Sequence, residues 1–338
     1  MPKKVPQSAA DRSFLYRGDR PEEMAPAGTV DLSIVIVNWN TRELLQNCLE
    51  SVRNTVKDLI WEAIVVDNAS TDGSVAMLQE YFSEVRVIVN EKNRGFGAAN
   101  NQAFALMKGR YALLLNTDAI LTDNAVAELF SFMESHPEAG MCCGQLLNRD
   151  GSKQNSIAAF PTLFTLLINM PLIEYLLPGK YPSKRYEYHR PIAVESCVGA
   201  CMMIRRAAMD SVGWFDERYF FFFEETDWAY RMHRAGWQVF YVPAARVYHF
   251  QGQSIGPDIR SRIEFYRSRY QFFQKWHGPL YYALIRGVIF SRLFINWLFT
   301  ALAAVLTLGI PRRLRSKLSV YTALVRWHFQ SRSSPPLG

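Results

Sequence analysis

A carboxylate at the end of an apolar run, Asp118 in YALLLNTDAIL (residues 111–121), is the residue of this chain that points most directly to chemistry. Residues 111–115 predict a short strand buried on both faces, after which the chain turns polar at Asn116, Thr117 and Asp118. Ligands of open α/β sheets bind at the carboxyl ends of strands. Three oxygen-bearing side chains there suit a hard divalent cation that keeps places for phosphate oxygens. The alternative is a turn in which Thr117 or Asp118 only caps a helix.

Two other predicted strands also end in polar side chains. LSIVIVNWN (32–40) ends at Asn38 and Asn40, and WEAIVVDNAS (61–70) ends at Asp67, Asn68 and Ser70. Because parallel strands bring these ends to one edge of a sheet, a nucleotide fits there: aspartate accepts from a pyrimidine ring N–H, and asparagine contacts the sugar. A capped turn is the alternative for the run DNASTDGS.

A glycine-rich loop, NRGFGAANN (93–101), precedes a predicted helix. Asn93 and Arg94 stand beside Gly95 and Gly97, whose backbone N–H groups would let a phosphate approach the helix N-terminus. A G-x-G pattern alone is weak evidence. The third fingerprint position would be Asn100 rather than glycine, and the loop follows the third strand, so a Rossmann dehydrogenase is disfavoured.

Acidic residues follow four phenylalanines in FDERYFFFFEETDWAYRMHRAGW (215–237). An apolar wall beside Glu224, Glu225 and Asp227 would raise a carboxyl pKa and suit one of them as a general base. A helix that begins near Glu225 also places Asp227 and Arg231 four residues apart, so an ion pair is the structural alternative for Asp227. Acids at a helix start are favourable in themselves.

His249 ends a strand-like segment, VFYVPAARVYH. A single histidine is most often structural, and this one becomes a candidate metal ligand only if the fold brings it to Asp118. Imidazole beside carboxylate and phosphate oxygens would suit Mn²⁺ better than Mg²⁺.

Alternating strand and helix patterns from Val30 onward predict a wound α/β domain that would position these side chains. The predicted strands are 32–40, 61–70, 85–90, 111–115 and 194–206, and the predicted helices are 42–54, 74–82, 98–109 and 124–135. The residues 155–192 predict a surface excursion or lid. The predicted organisation is a flexible tail (1–29), a catalytic domain (30–255) with a nucleotide-binding half (30–120) and an acceptor half (121–255), and a basic, apolar helical tail (256–338).

Size, charge and cysteine content narrow the functional class. The 338 residues carry a net charge of +7, from 38 basic and 31 acidic side chains. The five cysteines form no pair of C-x-x-C motifs, which disfavours a zinc site and indicates buried thiols in a reducing compartment. The N-terminal segment lacks the apolar core of a secretory signal.

An apolar stretch in the tail, LFINWLFTALAAVLTLGI (293–310), lies between basic residues: Arg286 and Arg292 before it and RRLRSK after it. Positive charge on both sides conflicts with a single membrane span, so an in-plane or re-entrant helix is favoured, with 279–290 as its partner. A helix of the protein core is the alternative. Basic clusters that flank apolar segments favour a membrane surface over nucleic acid.

Taken in order, these runs resemble the family 2 glycosyltransferases with the GT-A fold, and most closely their bacterial rhamnosyltransferase-like branch. The resemblance covers roughly residues 30–255 and rests on SIVIVNWN, IVVDNASTDGS, NRGFGAANN, LLLNTDAIL, VGACMMIRR, GWFDERYFFFFEETDWAYRM and VPAARVYH.

The resemblance implies a mixed, mainly parallel sheet flanked by helices. The C-terminal helical segment that follows is predicted from its own composition to associate with membrane. The resemblance also implies an inverting, metal-dependent enzyme with Mn²⁺ or Mg²⁺ as cofactor. Its donor would be a dTDP- or UDP-sugar, with rhamnose the leading candidate. Its acceptor would be a glycan or polyprenyl-diphosphate-linked sugar in cell-surface polysaccharide assembly, at the cytoplasmic face of the inner membrane.

Residue roles carry over from the resemblance position by position. Asp67 would hold the base with Asn38 and Asn40 nearby, and the Gly95 loop would line the nucleotide pocket. Asn116-Thr117-Asp118 stands where the family has its D-x-D metal motif, so Asp118 would bind the metal. His249 matches a histidine that completes the metal site in some relatives.

Two departures from the family pattern bear on these roles. Asn116 replaces the first acid of D-x-D, which implies a modest metal affinity. Glu224-Glu225 falls on the family's Glu-Asp pair, whose second member resembles the catalytic base, so a longer side chain stands at Glu225. This leaves open whether Glu225 or Asp227 takes the acceptor proton.

Three other functions compete with sugar transfer. A nucleotidyltransferase usually needs a glycine-rich loop directly after the first strand, and VNWNTRELL contains no glycine. A non-catalytic sugar- or membrane-binding scaffold would not need Asp118, Glu225 and His249 together. A nucleic-acid-binding protein would use the basic tail, which is too apolar for a simple phosphate-binding arm.

Overall fold

A mixed β-sheet between two layers of helices forms the centre of the molecule in the computed structural model, which describes residues 3–4, 30–250, 259–307 and 310–330. The predicted tail at 1–29, apart from Lys3 and Lys4, and the predicted boundary at 255–256 lie outside these residues. The strands are, in chain order, β1 (Lys3–Lys4), β2 (Leu32–Asn38), β3 (Trp61–Asp67), β4 (Arg86–Val89), β5 (Tyr111–Leu115), β6 (Ala119–Leu121), β7 (Ala139–Leu147), β8 (Ile157–Ala158), β9 (Tyr186–Glu187), β10 (Ile192–Val194), β11 (Ser196–Cys197), β12 (Cys201–Arg205) and β13 (Gln238–His249). The helices are α1 (Arg42–Thr55), α2 (Ser74–Tyr81), α3 (Phe96–Phe104), α4 (Ala125–Ser135), α5 (Leu163–Leu167), α6 (Met170–Leu176), α7 (Arg206–Val212), α8 (Glu224–Arg234), α9 (Ile259–Trp276), α10 (Pro279–Leu306) and α11 (Arg312–Gln330).

The strand order of the main sheet is β10-β13-β7-β12-β5-β2-β3-β4, with β6 paired to β13. β5, β2, β3 and β4 run parallel, whereas β12 lies antiparallel between β5 and β7. The sequence pattern predicted one strand over 194–206, but the chain turns at Val198–Ala200: Val194 ends β10 at the edge of the sheet, and Cys201–Arg205 forms the separate strand β12 in its centre. That turn places Gly199 beside α8, where a Cβ at Gly199 would lie 4.0 Å from Cγ of Glu225.

Alternating apolar side chains of the parallel strands fill both faces of the sheet. Leu32, Ile34 and Ile36 of β2 point into a core shared with α1, α2 and α4, and Val35 points into the core with α3, α7 and α8. Each of these four side chains is at most 1% exposed. Because both faces are covered by helices, the strands read as continuous apolar runs, and polar residues are confined to the strand ends.

The C-terminal helices α9, α10 and α11 form a separate cluster that packs on α5 and α8. The segments 279–290 and 293–310 were predicted as two pieces, but Pro279–Leu306 is one helix of 28 residues, and its partner is α11. α10 is long and apolar enough to cross a membrane, with a mean hydropathy of 1.8 over its most apolar window and only 11% of that window buried. α9 packs through Phe272 and Trp276 against Tyr230 of α8.

Candidate active site

The ends of β2 and β3 meet as the sequence predicted, because Asn38 pairs in register with Asp67. The Asn38 amide donates to Oδ2 of Asp67 at 2.7 Å and to the Ser70 hydroxyl at 3.0 Å, while the Ser70 N–H donates to Oδ1 of Asp67 at 2.8 Å. Asn38 and Asp67 are fully buried. Exposed Asn40 continues this edge with a positive φ of 52°, and its backbone N–H donates to Ser70 Oγ at 2.9 Å.

A chain of hydroxyl groups connects this edge to the strand end of β5. The Thr41 hydroxyl lies 2.7 Å from Asn38 Oδ1 and 2.9 Å from the Thr117 hydroxyl, and both threonines are buried. Asn116 is half-buried, and its N–H donates to the Ala200 carbonyl at 2.9 Å. Thr117 is thus part of the scaffold between two strand ends.

Asp118 and His249, 131 residues apart in the chain, are brought together by the pairing of β6 with β13. That antiparallel pair sets His249 opposite Ala119, and His249 Nε2 lies 3.3 Å from Asp118 Oδ1, with both side chains buried. Gln154 donates its amide to Asn148 Oδ1 at 2.7 Å and to the His249 carbonyl at 2.5 Å. Its oxygen therefore faces His249 Nδ1, at 2.9 Å, and accepts the proton that this network assigns to Nδ1.

This tautomer leaves a lone pair on His249 Nε2 opposite a carboxylate oxygen of Asp118. These two electron-rich atoms, 3.3 Å apart, repel each other unless a positive charge lies between them. A separation of about 3 Å is also that expected of two adjacent ligands on one small divalent ion. Within the described part of the chain no third Asp, Glu, His or Cys joins the pair. The donor set therefore fits a divalent metal that Asp118 and His249 would hold, with Asn116, water or ligand oxygens as its further ligands.

The glycine-rich loop packs against the four-phenylalanine segment. A Cβ on Gly95 would come within 2.5 Å of the Phe220 carbonyl, which accepts the Phe96 N–H at 2.8 Å, and a Cβ on Gly97 would come within 3.3 Å of Phe215 Cβ. The close approach that these glycines allow in the structure is therefore to the protein chain. Whether the loop also contacts a phosphate stays a prediction.

Asparagines tie this loop to the strand ends. Asn68 is buried; its amide donates to the Gly95 carbonyl at 3.2 Å, and its Oδ1 accepts the Arg94 N–H at 3.4 Å. Asn93 Oδ1 accepts the Gly95 N–H at 2.9 Å. Asn100 is buried on α3 with its amide bound to Phe96, while its Oδ1 has no hydrogen-bond partner in the described residues.

A strained turn positions the acidic pair. Phe222 and Phe223 both have positive φ angles, 69° and 71°, immediately before α8 begins at Glu224. Such a conformation costs of order 1–3 kcal/mol for each bulky residue and tends to mark functional sites. Half-buried Glu225 lines a cavity of about 360 Å³, whereas Glu224 is only 4% exposed. The strand-end residues Asn38, Asp67 and Asp118 do not line this cavity.

Burial sets the protonation of the acidic pair. It raises the pKa of Glu225 to about 7, against the opposing effect of the N–H groups of Glu225 and Thr226. Burial and the charge of Glu225 hold the pKa of Glu224 well above its usual range, and Glu224 Oε2 has no hydrogen-bond partner in the described residues. Of the two, Glu225 reaches the cavity and changes charge near neutral pH, as a general base must.

Asp227 is held away from the cavity by ionic and hydrogen-bonding contacts. Its Oδ2 contacts Arg231 Nε at 3.0 Å and Lys275 Nζ at 2.8 Å. Its Oδ1 accepts from Trp276 Nε1 at 2.7 Å and lies 3.3 Å from the Tyr219 hydroxyl. Asp227 is fully buried and does not line the cavity. Its ion pair with Arg231 is the structural role that the sequence offered as the alternative to catalysis, and its contacts with Lys275 and Trp276 join α8 to α9.

The turn at 198–200 brings the two halves of the site together. Asn116 donates to Ala200 on one side of it, and Glu225 packs beside Gly199 on the other. The sequence analysis did not identify Gln154, Thr41 or Lys275. Each contacts a partner more than 45 residues away in sequence, and the Thr41 hydroxyl also resembles a helix cap.

Comparison with known proteins identifies the family. The model described as "Glycosyl transferase family 2" matches residues 33–213, more than half of the chain. The N-acetylglucosaminyl-diphospho-decaprenol L-rhamnosyltransferase of Mycobacterium tuberculosis is 28% identical over 283 residues, covering 77% of this chain and 91% of that one. Rhamnosyltransferase WbbL of Escherichia coli K12 is 27% identical over 228 residues, covering 64% and 82%.

Solved structures show the same fold at low identity. A mannosyltransferase from Pyrobaculum calidifontis in complex with GDP-Man and Mn²⁺ matches with a TM-score of 0.54 and 14% identity, covering 93% of this chain and 92% of that one. GalNAc-T7 with UDP, GalNAc and Mn²⁺ matches with a TM-score of 0.55 and 16% identity, covering 90% and 57%. The predicted GT-A fold and the likeness to bacterial rhamnosyltransferases are confirmed. The chain is a glycosyltransferase and belongs to glycosyl transferase family 2.

Proposed function

We propose that this enzyme transfers a sugar, with rhamnose the leading candidate, from a dTDP- or UDP-sugar to a lipid-linked acceptor with inversion at the anomeric carbon. The observation that carries the proposal is the position of Glu225. Its carboxylate opens to a cavity, has a pKa of about 7, and lies across the 198–200 turn from the Asn116 strand end. The sugar and the acceptor class are those of the relatives, an N-acetylglucosaminyl-diphospho-decaprenol L-rhamnosyltransferase and a rhamnosyltransferase.

The donor nucleotide would lie along the strand ends of β2, β3 and β5. Asn38 and Ser70 hold both carboxylate oxygens of Asp67, so a base would use the remaining lone pair of one of them. Because Asp67 is fully buried, the exposed edge at Asn40 would have to open to admit the base. Asn68, Asn93 and Arg94 would shape the adjoining loop.

Asp118 and His249, with Asn116, would hold Mn²⁺ or Mg²⁺. The ion would supply positive charge to the departing diphosphate. Gln154 contacts His249 Nδ1 and so turns Nε2 toward Asp118, which is how an outer-shell partner orients a ligand. Asn116 contributes an amide in place of a second acid, so part of the affinity would come from the donor's own phosphate oxygens.

Glu225 would accept the proton of the acceptor hydroxyl as that oxygen attacks the anomeric carbon. The new bond forms opposite the bond to the diphosphate, which leaves with its electron pair, so configuration inverts. Neutral Glu224 beside it keeps a second negative charge out of the apolar wall of Phe222 and Phe223. The buried surroundings limit water at the reacting oxygen, which favours transfer over hydrolysis.

A panel of nucleotide sugars tests the reaction directly. We expect dTDP-rhamnose to be consumed fastest among dTDP-, UDP- and GDP-sugars when N-acetylglucosaminyl farnesyl diphosphate is the acceptor, and the product to carry the inverted linkage by NMR. Activity is expected to need Mn²⁺ or Mg²⁺ and to vanish in EDTA. A product with retained configuration, or turnover that is unchanged in EDTA, would contradict the proposal.

We further infer that the C-terminal helices hold the enzyme on an anionic membrane surface. Leu302, Val305 and Leu306 of α10 are between 54% and 76% exposed. The exposed basic residues of the first turns of α11 are Arg312, Arg313, Arg315 and Lys317. Apolar side chains next to arginine match an acyl boundary beside phosphate headgroups.

The double change Leu302→Glu with Leu306→Glu is expected to lower binding to vesicles that contain phosphatidylglycerol by at least roughly tenfold. The reason is that charge replaces apolar area that would be buried in the bilayer on binding. Vesicle flotation measures the effect. Ile60→Glu, which places the same charge at an exposed apolar site of the catalytic domain, is the matched control. Equal flotation of the double variant and the control would rule out this surface.

A further inference from the structure

Arg269 of α9 is an enclosed cation that pairs with no acidic side chain among the residues that the structure describes. Its Nε atom is buried and makes no hydrogen bond, and no ion pair reaches its guanidinium from residues 30–250, 259–307 or 310–330. The guanidinium lies instead over aromatic rings, 4.5 Å from the Phe265 ring centre and 5.8 and 5.9 Å from those of Tyr266 and Phe223. Burial lowers its pKa, which is the sign of a charge removed from water without compensation.

The position of Arg269 explains why such a costly arrangement persists. It forms a shared wall, with Thr165 and Leu166, between the 360 Å³ cavity that contains Glu225 and a second cavity of about 250 Å³. The second cavity is lined by Arg292 and Asn296 together with apolar residues of α10. The two cavities therefore adjoin at Arg269, with Glu225 on one side and, on the other, Arg292 and α10, which carries exposed apolar side chains such as Leu302, Val305 and Leu306.

Three carboxylates line the first cavity together with Arg269, and none of them forms an ion pair with it: Glu195 and Glu174 are held by other groups, and Glu225 lies at the cavity without a salt bridge to Arg269. Glu195 Oε2 accepts the Phe160 N–H at 2.6 Å, and Glu174 Oε2 accepts the Ser183 hydroxyl at 2.7 Å. Because no residue of the described ranges supplies a counter-ion to Arg269, an anionic ligand is the partner that this position fits. Arginine recognises phosphate through paired N–H donors, more strongly in a desolvated site than in water.

We propose that Arg269, assisted by Arg292, binds the phosphoryl group that joins the acceptor sugar to its lipid. This inference rests on the proposed function for the nature of the acceptor, and it adds the place where that acceptor is held. The sugar hydroxyl lies at Glu225, the diphosphate lies at the wall between the two cavities, and the lipid leaves along α10. The length of acceptor between sugar and lipid thereby sets which hydroxyl meets the base.

A pair of acceptors that differ only in the diphosphate between sugar and lipid tests the site. The probes are N-acetylglucosaminyl farnesyl diphosphate and the farnesyl glycoside of the same sugar. Arg269→Gln is expected to raise KM for the diphosphate acceptor roughly 10- to 100-fold while KM for the neutral glycoside and for the donor stays unchanged. Arg262→Gln, the same change at an exposed arginine of α9, is expected to alter neither. Equal effects of Arg269→Gln on both acceptors would overturn the proposal.

A binding measurement separates this inference from the proposed function. Calorimetry with farnesyl diphosphate in EDTA, which suppresses a metal-dependent donor site, needs no turnover. Wild type and Arg262→Gln are expected to bind, Arg269→Lys to bind more weakly, and Arg269→Gln to lose roughly tenfold or more. If wild type transfers no sugar but this order holds, the site stands and the reaction must be revised. Equal binding by Arg269→Gln and wild type overturns the site.

Thermal unfolding distinguishes a binding residue from a structural one. Removing a buried charge that has no partner is expected to leave the Tm of Arg269→Gln equal to or above that of the wild type. A Tm lower by several degrees would assign Arg269 to the stability of the helix cluster and would overturn the proposal.

Discussion

Glu225→Gln is expected to lower kcat for sugar transfer roughly 100- to 10,000-fold while the KM of the donor changes little. Glutamine keeps the size of the side chain and its place beside Gly199 but cannot accept a proton. Since the base acts on the acceptor hydroxyl in the transition state, the loss falls on kcat rather than on donor binding. Initial rates at saturating donor and acceptor measure it.

Two matched substitutions show whether the effect belongs to this carboxylate. Glu195→Gln removes a carboxylate from the same cavity and is expected to keep kcat within a few-fold, because its oxygen only accepts the Phe160 N–H. Asp227→Asn is expected to lower the Tm, because Arg231 and Lys275 lose their buried counter-charge. Near-normal turnover by Glu225→Gln, or a larger catalytic loss in Glu195→Gln, would place the base elsewhere.

The pH profile gives an independent check on the same residue. Burial raises the pKa of Glu225 to about 7, and the base works in its deprotonated form, so kcat/KM is expected to rise as the pH rises through 7. The residual activity of Glu225→Gln should lack this limb. The same raised pKa means that folding favours the protonated side chain. Stability from this group is therefore present at low pH and is lost as the pH rises from the unfolded value near 4.5 toward 7.

Strand ends were predictable from sequence because one rule governs them. Apolar runs that are buried on both faces leave few places for polar side chains, so Asn38, Asp67 and Asn116 mark the carboxyl ends of β2, β3 and β5. Parallel pairing then brings them to one edge, as the bond between Asn38 and Asp67 shows. Local pattern and register suffice for this part of the site.

Other parts depend on contacts that no local pattern encodes. The sequence pattern of Gly95 and Gly97 indicated a phosphate-binding loop. In the structure a Cβ at these positions would crowd the Phe220 carbonyl and Phe215, which lie more than 100 residues away in sequence. From the sequence, Asp227 and Glu225 were equally suitable as the base. Only the structure shows that Lys275 and Trp276 of α9 contact Asp227 and occupy its carboxylate. The partner of α10 proved to be α11 because 279–306 continues without a break, and helix periodicity alone does not set where such a helix ends.

Asp118→Asn is expected to lower kcat/KM roughly 100- to 1,000-fold and to abolish Mn²⁺ binding in the presence of UDP. The amide keeps the shape but removes the charge that faces His249 Nε2 at 3.3 Å. Electron paramagnetic resonance of free Mn²⁺ measures the binding without turnover. If Asp118→Asn binds Mn²⁺ as tightly as wild type does, the ion lies elsewhere.

Gln154→Leu separates the ligand from the residue that orients it. The change removes the acceptor at 2.9 Å from His249 Nδ1, so the ring is free to carry its proton on Nε2 and face Asp118 with a donor instead of a lone pair. Mn²⁺ affinity is expected to fall about 10- to 100-fold, and activity should return at high Mn²⁺ because Asp118 is intact. Asp118→Asn should not recover at any Mn²⁺ concentration. If the activity of both variants recovers at high Mn²⁺, donor phosphates alone hold the ion. If the activity of neither recovers, Gln154 supports β13 rather than the metal site.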